Sequence, residues 1–201
     1  MNHQKETRTR YMTELALLIA IIFLMAFTPL GYLRTPVLSI TFLPVPVAVG
    51  AMILGPLGGA ACGLAFGLTS FMQSFGGSGL GGAMLAINPA GAAFTCIVPR
   101  ILEGLFCAWI FLAVKKVSKK GAYYAASLAC PLFNTLLFMS ALLLFFYNTE
   151  YMQNLAASVG ALNPLALAVV LVGVQGLIEA GVCFLVASAV SRALAAALKI
   201  G

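Results

Sequence analysis

The chain has 201 residues, of which 62% are hydrophobic and only 8% are charged, and its net charge is +6. A soluble domain of this length carries about a quarter charged residues, so this composition excludes an ordinary soluble protein. Long apolar runs also exclude an outer-membrane β-barrel, whose strands alternate polar and apolar residues. We therefore expect one all-α membrane domain over residues 1–201, with a short cytoplasmic tail at 1–10.

Six apolar segments have the length or composition of membrane-spanning helices. In chain order they cover 11–28, 43–55, 57–75, 92–115, 122–147 and 164–197. The second segment reaches only about 20 Å as a helix, so we expect part of 37–42 to cross in extended form. The sequence GPLGG at 55–59 predicts a break between the second and third spans, because Gly-Pro ends one helix and starts the next.

The basic residues predict the orientation of these spans. With six spans, nine of the eleven Lys and Arg residues fall on one side of the membrane, which is then the cytoplasm and holds both termini. They are Lys5, Arg8, Arg10, Lys115, Lys116, Lys119, Lys120, Arg192 and Lys199. The positive charge therefore reflects topology and not nucleic-acid binding, since no helix carries a basic stripe interleaved with aromatic residues.

Three long connections fall on the outer side, at 29–42, 76–91 and 148–163. They are apolar and rich in glycine rather than plainly hydrophilic. Irregular backbone at membrane depth is tolerated where it lines a cavity, so we expect these loops to cap a pocket. The alternative is that they only connect helices.

Two charged residues, Arg100 and Glu103, interrupt the fourth span and lie on the same face of the predicted helix. Charges inside a span are costly and usually face a cavity or a partner. One interpretation is an ion pair that neutralises itself. The other is that Arg100 presents its fork to an anionic substrate while Glu103 orients it. Pro99 favours the second interpretation, because it frees a backbone carbonyl and can bend the helix.

Further polar residues are predicted at a similar depth. Asn134 on the fifth span and Gln175 on the sixth can be level with Arg100, and Glu179 lies deeper. Single amides of this kind can simply join helices. Several on neighbouring spans favour a lined cavity. The predicted site is completed by three residues near the outer ends: Asn88, Phe71 and Tyr147.

No pattern indicates catalysis, a metal or a cofactor. The single histidine is His3, and the five cysteines form no CxxC pair, so we expect them to be small buried apolar residues. The sequence contains no Walker motif, so ATP hydrolysis would need a separate subunit. We expect a binding protein that is not an enzyme.

Two patterns of small residues four apart permit close helix approach. Ala16 and Ala20 form one on the first span, and Gly59, Gly63 and Gly67 form the other on the third.

Four segments resemble the substrate-binding S components of energy-coupling factor (ECF) vitamin transporters, and the resemblance extends over nearly the whole chain. They are SITFLPVPVAVGAMILGPLGGAACGLAFGLTS at 39–70, VPRILEG at 98–104, FNTLLFM at 133–139 and VQGLIEA at 174–180. The last two segments are most similar to the pantothenate type.

This resemblance implies a six-helix S component of the bacterial cell membrane that binds its vitamin near the outer face. It implies docking onto a scaffold transmembrane subunit driven by two ATPases, through the residues matching the family's first-helix motif, Ala16 and Ala20. Pantothenate would place its carboxylate on Arg100 and its amide and hydroxyls on Asn134 and Gln175. The alternatives are another vitamin such as folate or riboflavin, a self-sufficient channel or permease, and a membrane scaffold without a ligand.

Overall fold

A computed structural model describes residues 2–29, 31–34, 39–76 and 79–198, with the backbone alone at 2–7, 32–34, 39–40 and 174–175. The elements in chain order are α1 (Asn2–Ala26), β1 (Tyr32–Arg34), β2 (Ser39–Thr41), α2 (Pro44–Ser74), α3 (Gly79–Ile87), α4 (Pro89–Lys115), α5 (Lys119–Phe146), α6 (Glu150–Ser158) and α7 (Pro164–Ala197). Strands β1 and β2 form an antiparallel hairpin in which Leu33 pairs with Ile40.

Within these described ranges, five helices are long and apolar enough to cross a membrane. The candidate spans are Arg8–Ala26, Pro44–Ser74, Pro89–Lys115, Lys119–Phe146 and Gly176–Ala197. The cytoplasmic tail at 1–10 stays a prediction, and the described part of this segment is helical because α1 begins at Asn2. No glycine or proline occurs before the end of α1, so the sequence holds nothing that would stop the helix at the membrane boundary.

Helix α2 folds back on itself at Gly55, where the backbone takes φ 78° and ψ −166°. In a straight helix residues 50 and 62 would lie about 18 Å apart. A Cβ built on Gly50 would instead be 2.7 Å from Cys62 Sγ. The two limbs, 44–54 and 56–74, therefore run against each other. This agrees with the break predicted at GPLGG, and the two limbs of α2 correspond to the second and third predicted spans.

The second limb of α2 packs backbone to backbone on α4. A Cβ on Gly63 would lie 2.0 Å from the carbonyl oxygen of Arg100, and one on Gly59 would lie 2.5 Å from that of Gly104. Gly67 faces the backbone at Ile97 in the same way, at 2.8 Å from its Cα. The glycine pattern predicted for close helix approach is thus used inside the chain.

The three connections predicted as loops contain regular structure. The first forms the β1–β2 hairpin, the second contains α3 and the third contains α6. Met84 on α3 and Met152 and Ala156 on α6 are buried against the helices beneath them. The two helices have nine residues each and the strands three, which is too short for the long apolar runs that predict membrane spans.

The two ends of the chain lie at the same end of the bundle. Arg10 on α1 donates from Nη2 to the carbonyl oxygen of Leu198, at 3.3 Å. Arg192 on α7 donates from Nη1 to the hydroxyl of Tyr124, near the start of α5, and stacks on that ring. The basic residues of α1, α5 and α7 are therefore grouped at this end.

The core is divided into two apolar clusters. On α4, α5 and α7 the first cluster lies towards the chain ends and consists of Cys107, Ala108, Phe111, Ala122, Ala126, Cys130, Cys183 and Ala187. The second cluster lies towards the hairpin end and includes Ala92, Cys96, Met139, Leu142, Phe146, Leu167 and Leu171, with the residues of α3 and α6. All five cysteines are free and buried, as predicted. The stretch between the clusters on each helix carries polar side chains.

The α2–α4 contact yields a stability prediction. Gly63→Ala is expected to lower the free energy of unfolding by about 1–3 kcal/mol, because its Cβ would overlap the carbonyl oxygen of Arg100. Thermal unfolding of the purified protein in detergent measures the effect. The control is Gly181→Ala on α7, where the new Cβ meets nothing within 4 Å and helix propensity favours alanine. Equal unfolding temperatures for the two variants would contradict this packing.

Candidate binding site in the polar layer

The guanidinium of Arg100 is buried in the middle of α4 and is held by its own helix. Its side chain is 6% exposed, and Nη1 donates to the carbonyl oxygen of Thr95 at 2.6 Å. Thr95 lies four residues before Pro99, which has no N–H and leaves that carbonyl without its helical partner. The local sequence thus provides an acceptor for the arginine, as expected from the freed carbonyl.

Two aromatic rings flank the same guanidinium. Arg100 Cζ lies 4.4 Å from the ring centroid of Phe138 on α5 and 5.3 Å from that of Phe66 on α2. Contacts of this kind stabilise a desolvated cation. Arg100 Nε is buried and has no hydrogen-bond acceptor among the described residues. The arginine is therefore fixed in place with donor capacity left unused.

Glu103 is fully buried but does not pair with Arg100. Its Oε1 accepts from Cys130 Sγ at 3.2 Å, and its Oε2 has no partner in the described part of the chain. No salt bridge with an N–O distance within 4.0 Å joins Arg100 and Glu103, so the two side chains do not form a direct ion pair. The Thr95 carbonyl and the two aromatic rings hold the Arg100 guanidinium, and the Cys130 thiol holds the Glu103 carboxylate.

Asn134 lies on α5 between the two apolar clusters and is 5% exposed. Its Oδ1 is buried and has no described partner. A helix-joining role would require such a partner, so the amide carbonyl remains available to a ligand. We call Arg100, Glu103, Asn134 and Glu179 the polar layer; each lies between the two clusters along its helix.

Glu179 joins the polar layer to the hairpin rather than packing helix on helix. Its Oε1 accepts from the backbone N–H of Thr41 at 2.7 Å. The strand that precedes α2 therefore reaches into the bundle, in line with the expected extended crossing near 37–42, of which residues 37 and 38 lie outside the described chain. The side chain of Gln175 also lies outside it.

Three predicted site residues do not lie in the polar layer. Asn88 caps α4, accepting from Gly91 N at 3.0 Å, and is twelve residues or about 18 Å from Arg100 along the helix. Phe71 and Tyr147 pack against the second cluster. Their role in binding stays a prediction, because they lie at a different level along the helices from the polar layer.

The structure adds residues that the sequence analysis missed as site components: Thr41, Phe66, Thr95, Cys130 and Phe138. Pro99 was the sequence signal for Thr95, because a proline leaves the carbonyl four residues earlier without its helical hydrogen bond. Nothing distinguished Phe66 or Phe138 from other apolar residues. Ala16 and Ala20 are exposed on α1, on a face that the rest of the described chain leaves uncovered.

Arg100 and Asn134 give the polar layer a buried cation and an unpaired hydrogen-bond acceptor. A preoriented guanidinium supplies the charge complement, and the free Asn134 carbonyl accepts from an N–H or O–H. The first apolar cluster closes the layer towards the chain ends, and the second cluster with α3 and α6 covers the other side. This combination of apolar walls and few polar groups is typical of ligand pockets.

The unpartnered amide yields a second prediction. Asn134→Leu is expected to leave the unfolding temperature of the ligand-free protein unchanged or raised, because it removes a buried acceptor that has no donor. Asn88→Ala serves as the matched control and should cost about 1 kcal/mol through loss of the α4 cap. Thermal unfolding in detergent compares them. A larger loss at Asn134 than at Asn88 would mean that the amide is structural.

Comparison with known proteins gives the identity of the fold. One curated relative is the pantothenate transporter PanT of Leuconostoc mesenteroides subsp. mesenteroides, which is 32% identical over 109 residues. That match covers 52% of this chain and 52% of the relative, so the chain spans about half of its length. The family model described as "ECF transporter, substrate-specific component" matches residues 10–191. The chain therefore belongs to the substrate-specific components of ECF transporters and is a multi-pass membrane protein.

Proposed function

We propose that this protein is the pantothenate-binding subunit of an ATP-driven ECF importer. The observation that carries the proposal is the state of Arg100, a buried guanidinium held between Thr95 and two aromatic rings with no carboxylate within 4 Å in the described chain. A buried charge without a directly paired carboxylate is costly, and an anionic ligand would compensate it.

Pantothenate has the groups that this layer can satisfy, namely one carboxylate, an amide and hydroxyls. Its carboxylate would lie on Arg100, and an N–H or O–H would donate to Asn134 Oδ1. The partial match to a pantothenate transporter supports the same vitamin. Folate and riboflavin remain the alternatives within the family.

The assembly is proposed from the family and from the distribution of charge. We place six spans in the bacterial cell membrane by counting the two limbs of α2 separately, with both termini in the cytoplasm. The grouping of Arg10, Tyr124 and Arg192 near the chain ends supports this orientation. Docking to a scaffold subunit with two ATPases would use the exposed Ala16 and Ala20.

A vitamin panel tests the ligand. Pantothenate at 100 times its Kd is expected to stabilise the purified protein by about 2.7 kcal/mol, because it binds only the folded state. Thermal shift and isothermal titration calorimetry measure the effect, with folate and riboflavin alongside. Stabilisation by another vitamin would keep the family role and overturn pantothenate. No response from any vitamin would contradict the binding role itself.

Loss of the charge at Arg100 tests the site. Arg100→Gln is expected to weaken pantothenate binding by about 30-fold or more while changing affinity for the alcohol analogue, which lacks the carboxylate, much less. Arg192→Gln is the matched control, since this arginine contacts Tyr124 near the chain ends. Calorimetry with both ligands gives the two ratios. Equal losses for the acid and the alcohol would remove Arg100 from the carboxylate site.

The docking surface yields a separate prediction. Ala16→Trp is expected to leave pantothenate binding intact but to block ATP-driven uptake, because the indole would hold α1 away from the scaffold helix. Leu136→Trp, at an exposed position on α5, is the control. Uptake into proteoliposomes containing the complete ECF complex measures the effect. Normal uptake by Ala16→Trp would exclude this face as the contact.

A further inference from the structure

The edge of strand β2 that faces away from β1 is hydrogen-bonded to a carboxylate on α7. Phe42 N donates to Gly31 O at 2.9 Å, on the side of the hairpin partner. The N–H of Thr41, one residue earlier, points the other way and donates to Glu179 Oε1 at 2.7 Å. Strand β2 therefore lies between its partner strand and α7.

This contact satisfies two groups that are each costly when buried alone. Thr41 and Glu179 are both 8% exposed. A free edge N–H has no water partner inside a membrane protein, and a buried carboxylate needs donors. A buried N–H that loses its acceptor costs the full desolvation penalty of that group. The Thr41–Glu179 bond is thus a strong local constraint on the strand.

Further hydrogen bonds connect Thr41 to the start of α2, and the start of α2 to the polar layer. Leu43 N donates to Thr41 Oγ1 at 3.3 Å, and α2 begins one residue later. The carbonyl oxygen of Pro44 accepts from Cys130 Sγ at 3.5 Å, and the same thiol contacts Glu103. The segment 41–44 therefore forms one wall of the layer, between α7 on one side and α5 on the other.

We propose that Glu179 is a positioning residue that fixes this wall and thereby sets how long a ligand stays in the polar layer. The proposal rests on the proposed function for the ligand, but the hold on β2 is independent of it. Glu179 acts through the backbone of Thr41 and needs no contact with the ligand.

Hydrogen–deuterium exchange of the ligand-free protein tests the hold on β2. In Glu179→Leu the peptide covering 39–43 is expected to exchange faster by on the order of tenfold, with α4 and α5 unchanged, because the strand edge has lost its acceptor. Glu179→Gln keeps an acceptor oxygen and should restore most of the protection. Glu14→Leu is the control, since Glu14 pairs with Arg10 near the chain ends.

Unchanged exchange at 39–43 in Glu179→Leu would overturn the proposal. Equally faster exchange in all helices would also overturn it, because Glu179 would then support the whole fold instead of one strand. If Glu179→Leu does not fold, the test uses Glu179→Gln and Glu179→Ala. The proposal then requires near-normal exchange of the peptide 39–43 in Glu179→Gln and faster exchange in Glu179→Ala.

Dissociation of radiolabelled pantothenate tests the consequence for the site. Glu179→Leu is expected to release the ligand roughly tenfold faster than the wild type, and Glu179→Gln within about threefold. Faster exchange at 39–43 without faster release would overturn the link to the site. Absence of pantothenate binding to the wild type would overturn the proposed function, while the exchange data would still decide whether Glu179 holds β2.

Discussion

The backbone contact between α2 and α4 organises the helix bundle. At Gly59, Gly63 and Gly67 the two backbones touch where no side chain could fit, and the carbonyl of Arg100 is one of the atoms touched. Lipid supplies no hydrophobic drive between helices, so packing of small residues must hold them together. This contact fixes α4 and directs the side chain of Arg100 between α2 and α5.

Local backbone chemistry then determines which polar groups are satisfied without a ligand. Pro99 leaves the Thr95 carbonyl free, and Arg100 uses it. The free edge of β2 is satisfied by Glu179. The Thr95 carbonyl and the Thr41 N–H thus have partners within the protein. Arg100 Nε and Asn134 Oδ1, in the same buried layer, have none among the described residues. Native interiors rarely leave such groups unpaired, so we propose that a ligand pairs with them.

The layered core explains how a very apolar chain can recognise a polar molecule. One apolar cluster closes the layer towards the chain ends, and a second, with α3 and α6, covers it from the hairpin end. Polar recognition is confined to one level of the bundle. The hairpin, α3 and α6 are the short elements formed by the three connections that the sequence predicts on the outer side.

Apolar length and Gly-Pro chemistry are local signals, so the membrane class and the break at Gly55 were predictable from the sequence. A charge within a span is also a local signal, and it singled out Arg100 as a candidate site residue. The three-dimensional structure established which residues contact one another. It separated Arg100 from Glu103, assigned Asn88 to a helix cap, and brought Thr41 to Glu179 from 138 residues away. Such choices depend on the rotation of each helix and on folded connections, and periodicity in one chain specifies neither.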